Sequence, residues 1–324
     1  YGKPWLLGQV IAALLAVRFV RESKAPGNTS YDIPGAITVT GGLLALVYGF
    51  TQAAPAGYED SAHWTDPSTL VWFALSAVLL TAFFVIESRS SHPLLPLRVI
   101  RNSNRAGAYI SSLMVGAGMF AMFLFLGIFM QTILGYSPVQ AGFAFLPFSV
   151  GIILGAGVAS NLLPRVGPRP LMIPGLLAGA AGMLWLAQLE PDSAYVTHLL
   201  PAMLVMSLGM AFVFIPTATV ALHAVDHHDA GVASAMINTS QQVGGSLGTA
   251  LMNTVAVSAT SAYLVANAAM GEAAMPAALT EGFTRGFYVG AGLLLTAAVV
   301  VFFMIRIGAD AAADEDEAAP VHIG

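Results

Sequence analysis

Residues 106–164 contain no Asp, Glu, Lys or Arg, and further charge-free runs follow as far as Arg306. The core of a soluble domain is too narrow to bury such a stretch, whereas a lipid bilayer accommodates it. The composition agrees, because 57% of the residues are hydrophobic, only 9% are charged, and the chain holds 33 Gly and 18 Pro, which are both commoner in membrane helices than in soluble ones. We therefore predict a polytopic membrane protein.

Nine apolar runs are separated by charged residues and by Pro/Gly clusters. They are residues 5–20, 33–54, 68–86, 106–132, 138–163, 170–189, 197–221, 231–265 and 286–305. Most have about the 20 residues that a helix needs to cross ~30 Å of hydrocarbon, and they lack the in/out alternation of barrel strands. The predicted fold is all-α, with about nine transmembrane helices. Run 231–265 is too long for one upright helix, so it must tilt or extend into water.

The basic residues give the chain an orientation. Ten of the twelve fall on one side of the predicted membrane: Arg18, Arg21, Lys24, Arg89, Arg98, Arg101, Arg105, Arg165, Arg169 and Arg306. By the positive-inside rule this side is cytoplasmic, so the C-terminus is inside and the start of the chain is outside. We predict a multi-pass protein of a bacterial cell (inner) membrane.

The chain starts at Tyr1 and shows no signal-peptide pattern, although the orientation places this end outside. We therefore expect that preceding helices are missing and that the sequence is the C-terminal part of a longer transporter. The alanine-rich, acidic residues 307–324 are expected to form a disordered cytoplasmic tail.

One turn can be predicted from its residues alone. Ser137 can cap a helix whose first residue is Pro138, so Gly135 and Tyr136 form a tight hairpin on the outside. The fourth and fifth spans are then expected to be antiparallel neighbours. Pro147, inside the fifth span, is expected to kink it, either as a packing feature or as a hinge.

Four segments together resemble one transporter family. They are residues 31–35 (YDIPG), 131–142 (QTILGYSPVQAG), 164–170 (PRVGPRP) and 231–248 (GVASAMINTSQQVGGSLG). The combination resembles the fourteen-spanner drug:proton antiporters of the major facilitator superfamily, the EmrB/QacA type, and it covers nearly the whole chain.

The resemblance implies a domain organisation. Residues 1–22 would be the last helix of a missing N-terminal half, 23–105 an extra central helix pair with cytoplasmic linkers, 106–306 the C-terminal six-helix half, and 307–324 the tail. The missing N-terminal half would then be a partner of this chain within the same transporter.

The basic turn between the fifth and sixth spans contains Arg165 and Arg169. It is either a plain topology signal or, as the resemblance implies, the second copy of a cytoplasmic loop motif that controls the inner gate. Because no acidic residue precedes Arg165, we expect an arginine contact with helix carbonyls and not a charge relay.

Glycines repeat at four-residue spacing in the fifth and eighth spans, at Gly151/Gly155 and Gly244/Gly248. Such spacing forms a groove on one helix face that lets another backbone approach closely. The resemblance implies that these helices meet the other half of the transporter and slide during alternating access.

The eighth span carries a polar stripe. Ser234, Asn238, Gln242, Gly245, Thr249 and Asn253 fall within roughly 100° of one another on a helix, and Gln241 lies at the edge. Such a face either lines a polar pathway or forms interhelical hydrogen bonds as structural glue. On the fourth span, Met119, Phe120, Phe123 and Phe125 could form an apolar wall for flat or cationic guests, or could simply pack.

The charge-free spans indicate a membrane protein, and the resemblance implies a secondary active transporter with proton-coupled efflux of lipophilic or cationic drugs by alternating access. The expected partners are the bilayer, a small lipophilic or cationic substrate and protons. The alternatives are a facilitator for another small solute and a non-transporting scaffold or inactive fragment. Asp32 and Glu87 lie only at helix ends, and the resemblance implies that the membrane carboxylates lie largely in the missing N-terminal half. We predict no cofactor, metal or nucleic-acid partner, and no enzyme, because neither a nucleophile/base pair nor a carboxylate dyad is recognisable.

The orientation can be tested with introduced cysteines, because the chain has none of its own. Gly57→Cys and Asp192→Cys should react with an impermeant thiol reagent added outside intact cells, whereas Ser91→Cys and Gly167→Cys should react only after the membrane is opened. The reversed labelling pattern would refute the orientation.

Overall fold

The computed structural model describes residues 32–54, 63–90, 93, 95, 97–225 and 229–309. These residues form helices and turns and contain no strand. The helices are α1 (Ile33–Ala53), α2 (Pro67–Arg89), α3 (Leu97–Ile100), α4 (Ser103–Thr132), α5 (Pro138–Ala144), α6 (Leu146–Val166), α7 (Pro168–Leu186), α8 (Leu200–Leu222), α9 (Ala230–Ala266) and α10 (Met275–Met304). A π-helical turn (Tyr195–Leu199) precedes α8, and a 3-10 turn (Ala268–Ala274) precedes α10.

Within the described residues, 8 helical segments are long and apolar enough to cross a membrane. They correspond to the last eight predicted spans, and the first, 5–20, lies outside the described residues. The all-helical membrane fold is confirmed. The eighth predicted span is one continuous helix of 37 residues, as its length required.

The predicted last span begins too late. The helix α10 starts at Met275, not near residue 286. Glu281 and Arg285 precede the predicted span, but they lie one turn apart inside α10 and form an ion pair of 2.7 Å. Pairing at this spacing lets a helix continue through charged residues beyond the hydrocarbon.

The hairpin between α4 and α5 forms as predicted. Ser137 Oγ accepts a hydrogen bond from the Gln140 N–H, and Gln140 Oε1 accepts one from the Ser137 N–H at 2.8 Å. This reciprocal pair is a capping box, of which the sequence interpretation had recognised only the serine. Gly135 has a φ of +70°, a left-handed conformation that glycine adopts readily, and it reverses the direction of the chain between the two helices.

The fifth predicted span is broken near its outer end. The helix α5 ends at Ala144, and α6 restarts at Leu146 with Pro147 in its first turn. Proline has no N–H to donate and fits best in the first turn of a helix, and Pro147 occupies that position in α6. Tyr195 fixes the break by donating a hydrogen bond of 2.7 Å from its hydroxyl to the Ala144 carbonyl.

The six segments from α4 to α10 form a bundle of two interlocked triples. The first triple is α4, α5/α6 and α7, and the second is α8, α9 and α10. The second member of each triple packs on the first member of the other, so α6 lies on α8 and α9 lies on α4. The expectation that the fourth and fifth spans are close neighbours therefore holds only at their outer end, because α4 packs mainly against α9 and α10.

Two glycine contacts, four residues apart, join α9 to α4. A Cβ at Gly244 would collide with the Leu113 carbonyl, and a Cβ at Gly248 would collide with Ala117. Both contacts advance by four residues in the same direction, so the two helices run parallel. Gly116 of α4 contributes a reciprocal contact, because its Cβ would collide with the Gln241 carbonyl.

The contact between α6 and α8 is built in the same way. A Cβ at Gly151 would meet the Ser207 side chain, and one at Gly155 would lie 2.7 Å from Ala211 Cβ. The predicted glycine grooves therefore exist, and within the described residues both are filled by helices of this same bundle.

The basic end of the bundle is closed by hydrogen bonds from the start of α4. Ser103 donates to the Met304 carbonyl at 3.0 Å, at the end of α10. Arg105 donates to the Val99 carbonyl at 2.8 Å and to the Ala224 carbonyl at 3.2 Å, beyond the end of α8. Arg105 is one of the basic residues that indicate the cytoplasmic side. It also donates hydrogen bonds to carbonyl groups that have no partner within their own helix.

We predict that Gly155→Leu destabilises the bundle, because its side chain would have to occupy the space of Ala211. Overpacking of this kind costs roughly 1–3 kcal/mol. The matched control is Gly157→Leu in the same helix, where a Cβ would meet no atom within 4 Å. Thermal unfolding of the purified variants in detergent should show a lower midpoint for Gly155→Leu alone, and equal midpoints would contradict a tight seam.

Candidate functional site

Besides its contact with α10, the helix α9 presents three different faces. Gln241, Gly244 and Gly248 form the seam with α4. A second face, which includes Val232 and Met236, turns to the α1–α2 hairpin. The remaining face carries the predicted polar stripe.

The polar stripe is largely uncovered. Ser234, Asn238, Gln242 and Asn253 are exposed, and Thr249 is half-buried. Asn238 and Gln242 form no hydrogen bond with any described residue, so within this part of the chain they do not act as interhelical glue. Their amides are left available to donate and accept hydrogen bonds.

The predicted aromatic wall divides into two parts. Phe120 is exposed and its ring lies over Gly245, where a Cβ would be 2.7 Å away, so it borders the polar stripe directly. Phe123, nearly one turn further along α4, contacts α6, with its ring centroid 5.1 Å from that of Phe148. The surface therefore runs from the amides of α9 across Phe120 to Phe123.

Phe125 does not belong to this wall. It is 1% exposed and packs against α10, with ring centroids 5.6 Å from Phe283 and 6.1 Å from Phe287. Gly286 lies directly beneath its ring. The sequence did not separate Phe125 from its neighbours, because all of them lie within two turns of one apolar helix.

The hairpin of α1 and α2 packs against α9, where it accepts a hydrogen bond and borders a cavity. Thr254 donates to the Phe50 carbonyl at 3.0 Å. The same three helices border an apolar cavity of about 520 Å³, to which Leu95 and, on α4, Leu113 also contribute. Thr239 and Ser240 provide its hydroxyl groups, and the residues that line it carry no charge.

The basic turn packs on the end of α10. Gly167 has φ of +81°, and a Cβ there would lie 3.0 Å from the Ala309 nitrogen. Arg169 places its guanidinium carbon 4.3 Å from the centre of the Phe302 ring, and Arg165 is exposed. The contact is thus a cation–π contact with a side chain and differs from the carbonyl contact that we expected.

The sequence interpretation considered Asp32 and Glu87 separately and did not predict that they lie together. Asp32 and Glu87 are 8% and 3% exposed and lie side by side at one end of the α1–α2 hairpin. The signal was available in the sequence, because the first residue of one helix and the last turn of the next meet in any antiparallel hairpin. It was overlooked because each residue was assessed only for its depth in the membrane.

Residues 5–249 match the sequence profile of the Major Facilitator Superfamily. The chain belongs to the Major Facilitator Superfamily. The resemblance found in the sequence is confirmed at this level, and membership of a transporter superfamily confirms the prediction that the chain is not an enzyme.

Relatives within this superfamily carry names of resistance and export. The chain is 40% identical over 319 residues to the puromycin resistance protein pur8 of Streptomyces alboniger, covering 96% of this chain and 61% of that protein. It is 35% identical over 258 residues to the cephamycin export protein CmcT of Amycolatopsis lactamdurans, covering 79% and 52%. It is 31% identical over 247 residues to the lincomycin resistance protein of Streptomyces lincolnensis, covering 76% and 49%. The chain thus spans only part of the length of these curated relatives.

The two arginines of the basic turn should contribute differently to the stability of this facilitator. Arg169→Gln should lower the free energy of unfolding by about 0.5–1 kcal/mol, the typical value of an exposed cation–π pair, and Arg165→Gln should leave it unchanged. A double-mutant cycle of Arg169→Gln with Phe302→Leu, measured by unfolding in detergent, isolates the pair. Additive effects would show that the contact contributes nothing.

Proposed function

We propose that this chain is part of an exporter that expels lipophilic or cationic small molecules in exchange for protons by alternating access. The names of its relatives support this proposal, because one is called an export protein and two are called resistance proteins for puromycin and lincomycin.

The observation that carries the proposal is the uncovered polar face of α9. A polar face on a membrane helix is costly against lipid and belongs against protein or water. Asn238 and Gln242 are exposed and unbonded within the described residues, beside the exposed ring of Phe120. Amides next to an aromatic face suit guests that combine hydrogen-bonding groups with flat or cationic parts.

In this proposal Phe120, Phe123, Asn238, Gln241 and Gln242 form the substrate surface of the C-terminal half. Gln241 contributes less than its neighbour Gln242, because it lies at the seam with α4 and its carbonyl packs against Gly116. The opposite wall of the pathway is provided by an N-terminal half. The carboxylates that couple export to protons are assigned to that half.

The proposal also assigns the remaining parts of the chain. Residues 1–22 end the N-terminal half, 23–105 hold the extra pair, 106–306 form the C-terminal half, and 307–324 form a cytoplasmic tail in a bacterial inner membrane. The seam glycines Gly151, Gly155, Gly244 and Gly248 keep the C-terminal half rigid while it moves. Arg165 and Arg169 belong to the turn that closes its cytoplasmic end.

We expect Asn238→Leu and Gln242→Leu to change the relative export of different compounds, because an amide on the wall contacts some guests and not others. Export of several dyes and antibiotics is measured in cells that produce the full-length transporter and is normalised to the protein in the membrane.

The matched control is Asn161→Leu, which removes an exposed amide from α6 that bonds its own helix at the Gly157 carbonyl. It should leave the export profile unchanged. A uniform loss for every compound that follows protein abundance in the α9 variants would instead assign the stripe to structural glue.

A further inference from the structure

The cavity between the α1–α2 hairpin and α9 is a groove that opens at the surface of the bundle. Its volume of about 520 Å³ lies within the ~300–1,000 Å³ that is typical of ligand pockets. Phe84 and Thr239, which border it on two different helices, are both exposed. A molecule can therefore enter the groove from outside without any opening of the fold.

The groove is long and follows the helices. On α9 its lining reaches from Val232, in the first turn, to Leu247, which is about 22 Å at 1.5 Å per residue. On α2 the lining residues Leu80, Phe83 and Phe84 all lie in the last three turns before Arg89. The groove therefore starts at the basic end of the bundle and runs along the helices toward its middle.

The lining selects a hydrocarbon occupant. Thr239 and Ser240 provide the hydroxyl groups, and the other lining residues are aliphatic, aromatic or Met. An ordered water requires about 2–4 polar partners, and an unfilled gap loses dispersion contacts on both of its walls. Lipid tails are as apolar as leucine, and the groove is longer than the ~15 Å that one leaflet contributes to ~30 Å of hydrocarbon. It can thus hold one acyl chain parallel to the helices.

The linker at the start of the groove is basic. Arg89 at the end of α2 and Arg101 after α3 are both exposed, and residues 88–105 contain no Asp or Glu. Leu95, between these arginines in the sequence, lines the groove. Its N–H donates a hydrogen bond of 3.0 Å to Glu87 Oε2. This bond holds the linker at the end of α2, beside the groove.

The acidic residues described at this end do not present their charge at the surface. Asp32, Glu87 and Asp229 are 8%, 3% and 5% exposed. Asp32 Oδ1 also accepts the Gly35 N–H at 2.8 Å, so this carboxyl group caps α1. The exposed charge of the linker is therefore positive, and basic pockets between membrane helices attract the head groups of anionic lipids.

We propose that the groove binds one anionic phospholipid of the surrounding bilayer. One acyl chain lies between the hairpin and α9, and Arg89 and Arg101 bind the phosphate of the head group. The lipid then joins the hairpin to the bundle, in addition to the hydrogen bond between Thr254 and Phe50. This site lies on a different face of α9 from the polar stripe and does not depend on the proposed export activity.

The first test measures selectivity for the head group. The purified full-length transporter is delipidated in detergent and titrated with phosphatidylglycerol or with phosphatidylcholine of the same chains, and bound lipid is counted by native mass spectrometry. Wild type should bind one phosphatidylglycerol more tightly than phosphatidylcholine. Arg89→Gln and Arg101→Gln should each weaken phosphatidylglycerol binding about fivefold, the factor that corresponds to ~1 kcal/mol per basic residue at a lipid surface.

The matched control for the arginines is Arg165→Gln, which removes an exposed arginine from the basic turn between α6 and α7. It should bind phosphatidylglycerol as wild type does. Equal affinities of wild type for the two lipids, or equal losses in all three arginine variants, would overturn the proposed site.

The second test fills the groove. Val243→Phe enlarges a side chain of the lining and should weaken the binding of both lipids, because the acyl chain loses its space. Val265→Phe makes the same change on α9 at a residue that is 63% exposed and lies outside the lining, and it should bind lipid as wild type does. If Val243→Phe does not fold, Thr239→Phe at the exposed border of the groove replaces it.

Two results of the second test would contradict the proposal. Unchanged phosphatidylglycerol binding in the folded groove variant would place the lipid elsewhere. Release of the bound phosphatidylglycerol from wild type by ethidium, a lipophilic cation, together with loss of ethidium binding in the same variant, would assign the groove to a transported guest.

Discussion

The bundle depends on the close approach of parallel backbones at glycine. In a membrane the hydrophobic effect does not drive helices together, so packing contacts must hold them. Gly244 and Gly248 bring α9 onto α4, and Gly151 and Gly155 bring α6 onto α8. These two seams join the first triple to the second. The four-residue glycine spacing on α6 and on α9 therefore fixes two of the contacts between the triples, beside those that α7 makes with α8 and that α10 makes with α4 and α7.

The sequence predicted the spans well because each depends on local composition. The turn at Ser137 was also predictable, since a cap and a helix-starting proline act within a few residues. The start of α10 was misplaced, because charge was taken as a sign of a loop and the pairing of Glu281 with Arg285 was not considered. Ion pairs along a helix offset the penalty that a simple hydropathy reading assigns.

The candidate site was only partly predictable. The stripe with Asn238 and Gln242 followed from helical periodicity, which is fixed by backbone geometry. The separation of Phe120 from Phe125 did not, because it depends on which neighbouring helices cover α4. The same holds for Arg169, whose partner Phe302 is distant in the sequence. Contacts between distant segments require the tertiary arrangement, and one sequence contains no direct record of it.

The three faces of α9 have a mechanical consequence. A rotation of this helix about its axis would push Gly248 off Ala117 and pull Thr254 away from the Phe50 carbonyl. The amides of the stripe are therefore held in a fixed orientation relative to both α4 and the hairpin. A motion that keeps these contacts while presenting the amides to a different compartment carries α4, α9 and α1 together.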